Sequence, residues 1–259
     1  MQRFYKTFKI FGLGFLSSKN LTQLQKFEDD VADLFSDMVK CNGGNVEDIK
    51  SQIGQDSFAL YSLNWKRDGY FVEFGATNGV DLSNTYLLEK DFGWNGILAE
   101  PAKLWHEDLK ANRTALIDFD CVWSKSGEVL NFTVAQEAEY STISSFTRKD
   151  THASARSKCE IYPVKTISLN DLLERHGSPS KIDYLSIDTE GSELEILRAF
   201  DFDQYAISVI TCEHNFSSQR IEIYELLTSY GFVRVFEGFS RWDDWYIHPD
   251  NIAASSANS

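Results

Sequence analysis

The sequence predicts one α/β domain preceded by a modest N-terminal extension. Three observations carry this reading. A length of 259 residues with 42% hydrophobic content suits a single domain with a full core. The stretch Tyr70 to Asp81, YFVEFGATNGVD, reads as an apolar strand ending in an acid, then a small-residue loop, then a helix marked by Leu82, Tyr86 and Leu87. Further short apolar runs at 96–99, 182–187 and 206–212 each deliver polar groups at their ends: Glu100, then Asp188-Thr189-Glu190, then Glu213-His214-Asn215.

Residues 1–20 hold Arg3, Lys6, Lys9 and Lys19 and no acid, with Phe4, Phe8, Phe11 and Phe15 at helical spacing. Such a face either lies on an anionic membrane or packs on its own domain, and packing is the commoner fate. Leu24, Phe27, Val31, Leu34, Phe35 and Met38 form a second helical stripe, stopped by Gly43-Gly44. Residues 1–45 are therefore expected as a helical extension, 46–250 as the functional domain, and the small, polar 251–259 as a disordered tail. Ser51, Gln52, Gln55 and Asp56 stand just before an apolar helical run, 58–63. They either cap that helix or reach over a ligand.

The loop after Glu73 has glycine where a ligand must approach closely, since Gly75 and Gly79 carry no Cβ and accept positive φ. Asp81 and Ser83 offer themselves as caps of the following helix. This is not the G-x-G-x-x-G dinucleotide fingerprint: the second glycine is absent, and three residues separate Gly75 from Gly79. An NAD-dependent oxidoreductase is disfavoured accordingly. Glu73 would repel a pyrophosphate and attract an ammonium. The E-x-G-x-x-x-G arrangement resembles the first motif of S-adenosylmethionine-dependent methyltransferases, whose cofactor carries an ammonium and a sulfonium.

Glu100 lies 27 residues beyond Glu73 at the end of the second strand, where an acid can accept from both ribose hydroxyls. Ala115 to Phe119 reads as a third strand, and Asp120-Cys121 after it as the border of an adenine. Val129 to Val134 alternates as an extra strand. Residues 135–160, with Arg148, Lys149, His152, Arg156 and Lys158, read as a loop over the site or a solvated basic run. Val164 to Ile167 is a short strand leading to a helix over 169–176. Ser192 and Glu195 form a capping box for the helix behind Asp188. Ile221 to Tyr230 is a helix, and the runs 232–236 and 244–248 close the domain as an antiparallel pair of strands.

Taken in order, SQ-x-GQD at 51–56, FVEFGATNG at 71–79, LAEP at 98–101, IDTEGSE at 187–193 and CEHN at 212–215 closely resemble the FkbM-type methyltransferase family. The resemblance implies a Rossmann-like class I methyltransferase fold: a mostly parallel seven-stranded sheet with helices on both faces and an antiparallel C-terminal strand pair. It implies S-adenosylmethionine bound by Gln55, Glu73, Gly75, Asn78, Gly79, Asn84, Glu100, Asp120, Cys121 and Asp188, and methyl transfer, usually to oxygen.

A sugar hydroxyl is a poor acid, so its transfer needs a base or a metal. His214 is the best base by type. Asp188, Glu190 and Glu213 either orient it or hold Mg²⁺ with Asn215. Base and metal both stay open. The expected acceptor is a small molecule or glycan hydroxyl, with a nitrogen acceptor, a non-sugar metabolite or a non-catalytic cofactor-binding module as alternatives.

The net charge of −14 argues against nucleic acid as a partner. Cys41, Cys121, Cys159 and Cys212 form no C-x-x-C pair and suit reduced thiols. The longest apolar run near the start, 10–16, is too short to span a bilayer. A cytoplasmic location follows as the expectation, with residues 1–20 as the one route to peripheral contact at the inner membrane face.

Overall fold

In the computed structural model, residues 18–134, 142–143 and 160–256 are described. The first helix, α1 (Ser18–Cys41), turns Phe35 and Val39 into the domain. Its buried stripe is narrower than the apolar spacing predicts, because Leu34 is exposed. Residues 1–17 and the basic 144–159 loop lie outside the described residues. The membrane reading and the loop-over-site reading both fall there.

A second helix, α2 (Gln55–Ser62), precedes strand β1 (Tyr70–Phe74). Helix α3 (Tyr86–Phe92) starts one turn later than expected, and Leu82 is left exposed at a φ of +65°. The cause is Glu73, whose carboxylate captures the Ser83 and Thr85 hydroxyls and the Asn84 N–H, holding 83–85 out of the helix. Asp81 and Ser83 are therefore not its caps.

Next come β2 (Asn95–Ala99), α4 (His106–Asn112) and β3 (Leu116–Asp118). They are followed by β4 (Cys121–Trp123), β5 (Val129–Val134), β6 (Thr142–Ile143) and β7 (Glu160–Ser168). The C-terminal half supplies α5 (Leu169–Arg175), β8 (Lys181–Ile187), α6 (Glu193–Ala199), β9 (Ala206–Glu213) and α7 (Gln219–Ser229). It closes with β10 (Val233–Val235), β11 (Asp243–Ile247) and α8 (Pro249–Ser256). The expected disordered tail is thus helical as far as Ser256: Asn251 donates to the Ile207 carbonyl at 2.7 Å and Ile252 packs on the core.

Seven strands form one sheet in the order β10-β11-β9-β8-β1-β2-β3. All pairings from β9 to β3 are parallel, and β11 runs against both of its neighbours. A separate four-stranded sheet, β4-β7-β5-β6, stands beyond β3 in sequence. One face of the main sheet packs Val72, Phe74, Ile187 and Cys212 against the Leu and Ile side chains of α5, α6 and α7. The other face packs Phe71, Tyr184, Val209 and Trp245 against α1 to α4. Because β1 is flanked by β2 on one side and β8 on the other, chain connections diverge at its tip. That divergence opens the crevice where ligands of such sheets bind.

Candidate active site

Strand periodicity and register decide which side chains meet. Glu73 on β1 stands opposite Ser186 on β8, Ser186 opposite Thr211 on β9, and Thr211 opposite Trp245 on β11. Two residues further on, the same face carries Gly75, Asp188, Glu213 and Asp243, with Glu213 and Asp243 directly paired. Gly75 has a φ of +73°, and a Cβ there would sit 2.3 Å from the Asp188 carbonyl oxygen. Only glycine lets the β1 loop lie this close to the turn that carries Asp188.

The heart of the site is acidic. Asp188, Glu190 and Glu213 each place a carboxylate oxygen within 4.8 Å of the others. Asp188 and Glu213 stand side by side in this cluster, and Glu213 Oε2 is buried with no hydrogen-bond partner. Asn215 donates through Nδ2 to Glu190 Oε2 at 3.3 Å. Burial pushes the Asp188 carboxyl up to about 7, aided by the charges of Glu193 and Glu73. Burial lifts Glu213 well above the usual carboxylate range, with Asp188 and Glu190 adding to it.

Beside them Asp243, not singled out by sequence, is pushed up to about 8 by burial and then by Asp188. It accepts from Gln55 Nε2 at 2.9 Å, and Gln55 Oε1 is pinned by the Ile53 N–H. So Gln55 reaches the site through Asp243. Gly54 is the N-cap of α2, and Asp56 in its first turn takes the Ser51 hydroxyl and the Ser57 N–H.

The two acids assigned to the cofactor separate. The Glu73 carboxylate is filled by the 83–85 segment, with Arg113 Nη1 at 3.9 Å. Arg113 in turn donates to the Gly79 carbonyl and the Ser83 and Thr85 hydroxyls, bracing the glycine loop from behind. Glu100 stays at the crevice. It accepts from the Thr77 N–H at 2.8 Å and the Ala102 N–H at 2.7 Å, and burial lifts it to about 7. A carboxylate has about four acceptor positions, so hydroxyl donors can still be taken.

Asn78 closes its own loop, accepting from the Val80 and Asp81 N–H groups. Asn84 donates to Ser186 Oγ at 2.9 Å, and its Oδ1 is buried without a donor. Asp120 is held by Arg175 at 2.8 Å, and the neighbouring Asp118 is the more buried anchor of Arg175 and His176. Cys121 is buried, and burial pushes its thiol up to about 12. Among the described residues Cys41, Cys121 and Cys212 are free thiols.

Two assignments are corrected by local geometry. The Ser192–Glu195 capping box does not form. Glu193 instead accepts from the Thr189 and Gly191 N–H groups and shapes the turn from within, while Glu195 meets Arg198 on the surface. The second concerns the His214 ring, expected to be free as a base and found engaged by the fold. Its Nδ1 accepts from the Phe216 N–H at 2.9 Å, and Nε2 faces Asp244 at 3.7 Å. A neutral imidazole has one acceptor nitrogen, and that one is occupied. Burial lowers His214 to about 4, and Asp244 is already claimed by Arg220 and Arg234.

A seven-stranded sheet in this order, reversed only at β11 and rimmed by acids at the tips of β2, β8 and β9, defines a class I methyltransferase fold. Residues 73–236, more than half of the chain, match the Methyltransferase FkbM domain family, and the chain belongs to that family. It is accordingly an S-adenosylmethionine-dependent methyltransferase. Solved structures to which the chain is similar include precorrin-6y C5,15-methyltransferase from Geobacter metallireducens, at 11% identity over 69% of this chain and 71% of that one, TM-score 0.36. Another is a fibrillarin/Nop5p complex, at 12% identity over 69% and 71%, TM-score 0.31. No curated protein matches the chain.

Proposed function

We propose that this enzyme methylates a hydroxyl of a sugar, glycan or related polar metabolite, with Mg²⁺ held by Asp188, Glu190 and Glu213. The observation that carries the reading is the buried acidic trio with the orphaned Glu213 Oε2, set beside the glycine turn at the tip of β1. An all-oxygen donor set of this kind fits Mg²⁺ better than zinc. When bound, the ion supplies a Lewis acid that makes a hydroxyl easier to deprotonate. The chain's own part is to align the acceptor oxygen, exclude water and take the proton on a carboxylate. His214, lacking a free lone pair, is left with positioning.

The cofactor fits the remaining groups. S-adenosylmethionine supplies a transferable methyl on a cationic sulfur, and a crevice lined by Glu100 and Asp188, with no buried cation among the described residues beside them, favours such a charge. Glu100 takes the ribose hydroxyls.

Calorimetry tests this directly. Glu100→Ala is expected to weaken S-adenosylmethionine binding by about 1.5–3 kcal/mol, the scale for hydrogen bonds to a charged group. Methyl transfer is expected to vanish with chelator and return with Mg²⁺. Unchanged cofactor affinity in the variant sinks the ribose assignment, and activity indifferent to chelator sinks the metal.

We propose a location on the composition of the N-terminus. No described helix is long and apolar enough to cross a membrane. The local charge of residues 1–20 is set by Arg3, Lys6, Lys9 and Lys19 on a chain of net −14, which supports a cytoplasmic enzyme resting on the inner membrane face. Full-length protein is expected to sediment with anionic liposomes, and deleting 1–20 to abolish this while leaving cofactor affinity intact. Absence of sedimentation by the full chain refutes the location.

A further inference from the structure

The turn after β9 has a shape that its own sequence does not favour. Asn215 and Phe216 are both left-handed, at φ +43° and +56°. For a bulky aromatic residue this backbone is a genuine outlier, and such outliers persist only where surroundings impose them. The surroundings here can be named. The Trp242 carbonyl accepts from the N–H groups of His214, at 2.9 Å, and Asn215, at 3.2 Å. His214 Nδ1 accepts from the Phe216 N–H, and the imidazole stands edge-on to the phenyl ring, centroids 5.4 Å apart at 76°. The imidazole itself is pressed against Asp244, which Arg220 and Arg234 hold.

Core burial does not account for this arrangement, because Phe216 is 40% exposed. Asn215, one residue before, sends its amide to Glu190 in the acidic trio. One strained turn therefore sets a polar group on the reacting centre and an aromatic group next to it in the chain. Across the gap Glu190 is also left-handed, at φ +57°. Three of the ten left-handed non-glycine residues described therefore lie on the two loops that meet at the trio.

We infer that Phe216 is the platform for the acceptor: its ring stacks on the apolar C–H face of a pyranose whose hydroxyl is directed at Asp188, Glu190 and Glu213. The inference rests on the sugar reading of the proposed function and adds the group that recognises the ring. Sites for polar ligands pair an apolar wall with a few placed polar groups. A pyranose offers both, with axial C–H bonds on its face and hydroxyls on its edge. The phenyl supplies the wall, and Asn215 with the trio supplies the polar groups. His214 is the positioning residue that keeps the phenyl in place.

The test uses the full-length protein saturated with S-adenosylhomocysteine, and methyl glycosides of glucose, rhamnose, fucose and mannose as probes. Saturation-transfer NMR is expected to show at least one pyranoside bound through its ring C–H protons. Phe216→Ala is expected to weaken that pyranoside by about 10-fold, and Phe216→Tyr to restore it. Phe216→Gly is a second, independent variant: it relaxes the left-handed backbone and raises the melting temperature, yet loses the pyranoside as Phe216→Ala does. S-adenosylhomocysteine affinity stays unchanged throughout, which certifies the fold. Equal pyranoside affinity in wild type and Phe216→Ala overturns the platform, and so does a wild type that binds the nucleoside but none of the pyranosides. A wild type that binds no S-adenosylhomocysteine overturns the proposed function along with it.

Discussion

Asp188→Asn is expected to lower methyl transfer by about 10²–10⁴-fold, the scale for removing a positioned proton acceptor or an anionic metal ligand. The substitution keeps shape and removes one charge. Asp188 is the member of the trio that touches everything: its carbonyl abuts Gly75, its carboxyl stands beside Glu213, and its charge raises Asp243 and Glu100. Losing that charge removes a ligand oxygen and also lets Glu213 and Asp243 ionise more easily. Cofactor affinity should change far less, because Glu100 and the glycine loop are held by other partners. His214→Ala is expected to act differently. With no free lone pair to lose, it should disturb the 214–216 turn and weaken acceptor binding more than turnover. Turnover of each variant is measured on the acceptor identified by methyl mass shift. An Asp188→Asn enzyme within a few-fold of wild type would falsify the role of the trio.

The second large effect is on stability. Without ligand the protein is expected to be most stable near pH 5 and to lose stability steadily towards pH 8. Asp188 and Glu100 are pushed up to about 7 and Asp243 to about 8, from ordinary values of 3.8, 4.5 and 3.8. Each binds its proton more tightly folded than unfolded. Over the window from about pH 4 to about pH 8 the unfolded chain has released protons that the folded chain keeps, so stability falls as pH rises. The loss is complete once the folded groups have ionised.

Asp243→Asn removes one of these ionisations while keeping an acceptor for Gln55. It is expected to stabilise the protein at pH 8 by on the order of 1–3 kcal/mol and to flatten the profile. Added Mg²⁺ is expected to raise the melting temperature most at pH 8, where protons no longer compete for the carboxylates. Melts at pH 5, 6, 7 and 8 decide the matter. A melting temperature that rises from pH 5 to pH 8, unaltered by Asp243→Asn, is the opposite of what these buried acids require.

The elements themselves were readable from local pattern. Strand-length apolar runs ending in acids located β1, β2, β8 and β9, and the spacing of Glu73, Gly75 and Gly79 marked the glycine loop behind β1. Such signals are local: periodicity, a turn residue, a strand end. Helix α8 was missed because Ala253 to Ser259 is small and polar and shows no apolar helical face, and what holds the helix is contact with the Ile207 carbonyl and the core. The four-stranded second sheet was missed as a unit because β4 and β7 pair across more than forty residues, Cys121 with Thr166.

By itself the sequence determined the α/β class, the family motifs and the placing of Glu100, Asp188, Glu190 and Glu213 at strand ends, since all of these follow from short stretches of chain. Only the tertiary structure decided what each acid and His214 touches. Glu73 and Glu100 look alike in sequence, each an acid at the end of an apolar strand. Glu73 is consumed by the 83–85 segment and Arg113, whereas Glu100 meets only two N–H groups and keeps capacity for a ligand. His214 has the right type for a base, but the Phe216 N–H takes its lone pair. Asp243 enters the site because β11 runs antiparallel beside β9 and sets it opposite Glu213. The physical reason is competition for hydrogen bonds. A carboxylate or imidazole is available to a substrate only if no donor or acceptor of the fold reaches it first, and those competitors come from segments that sequence distance cannot bring together.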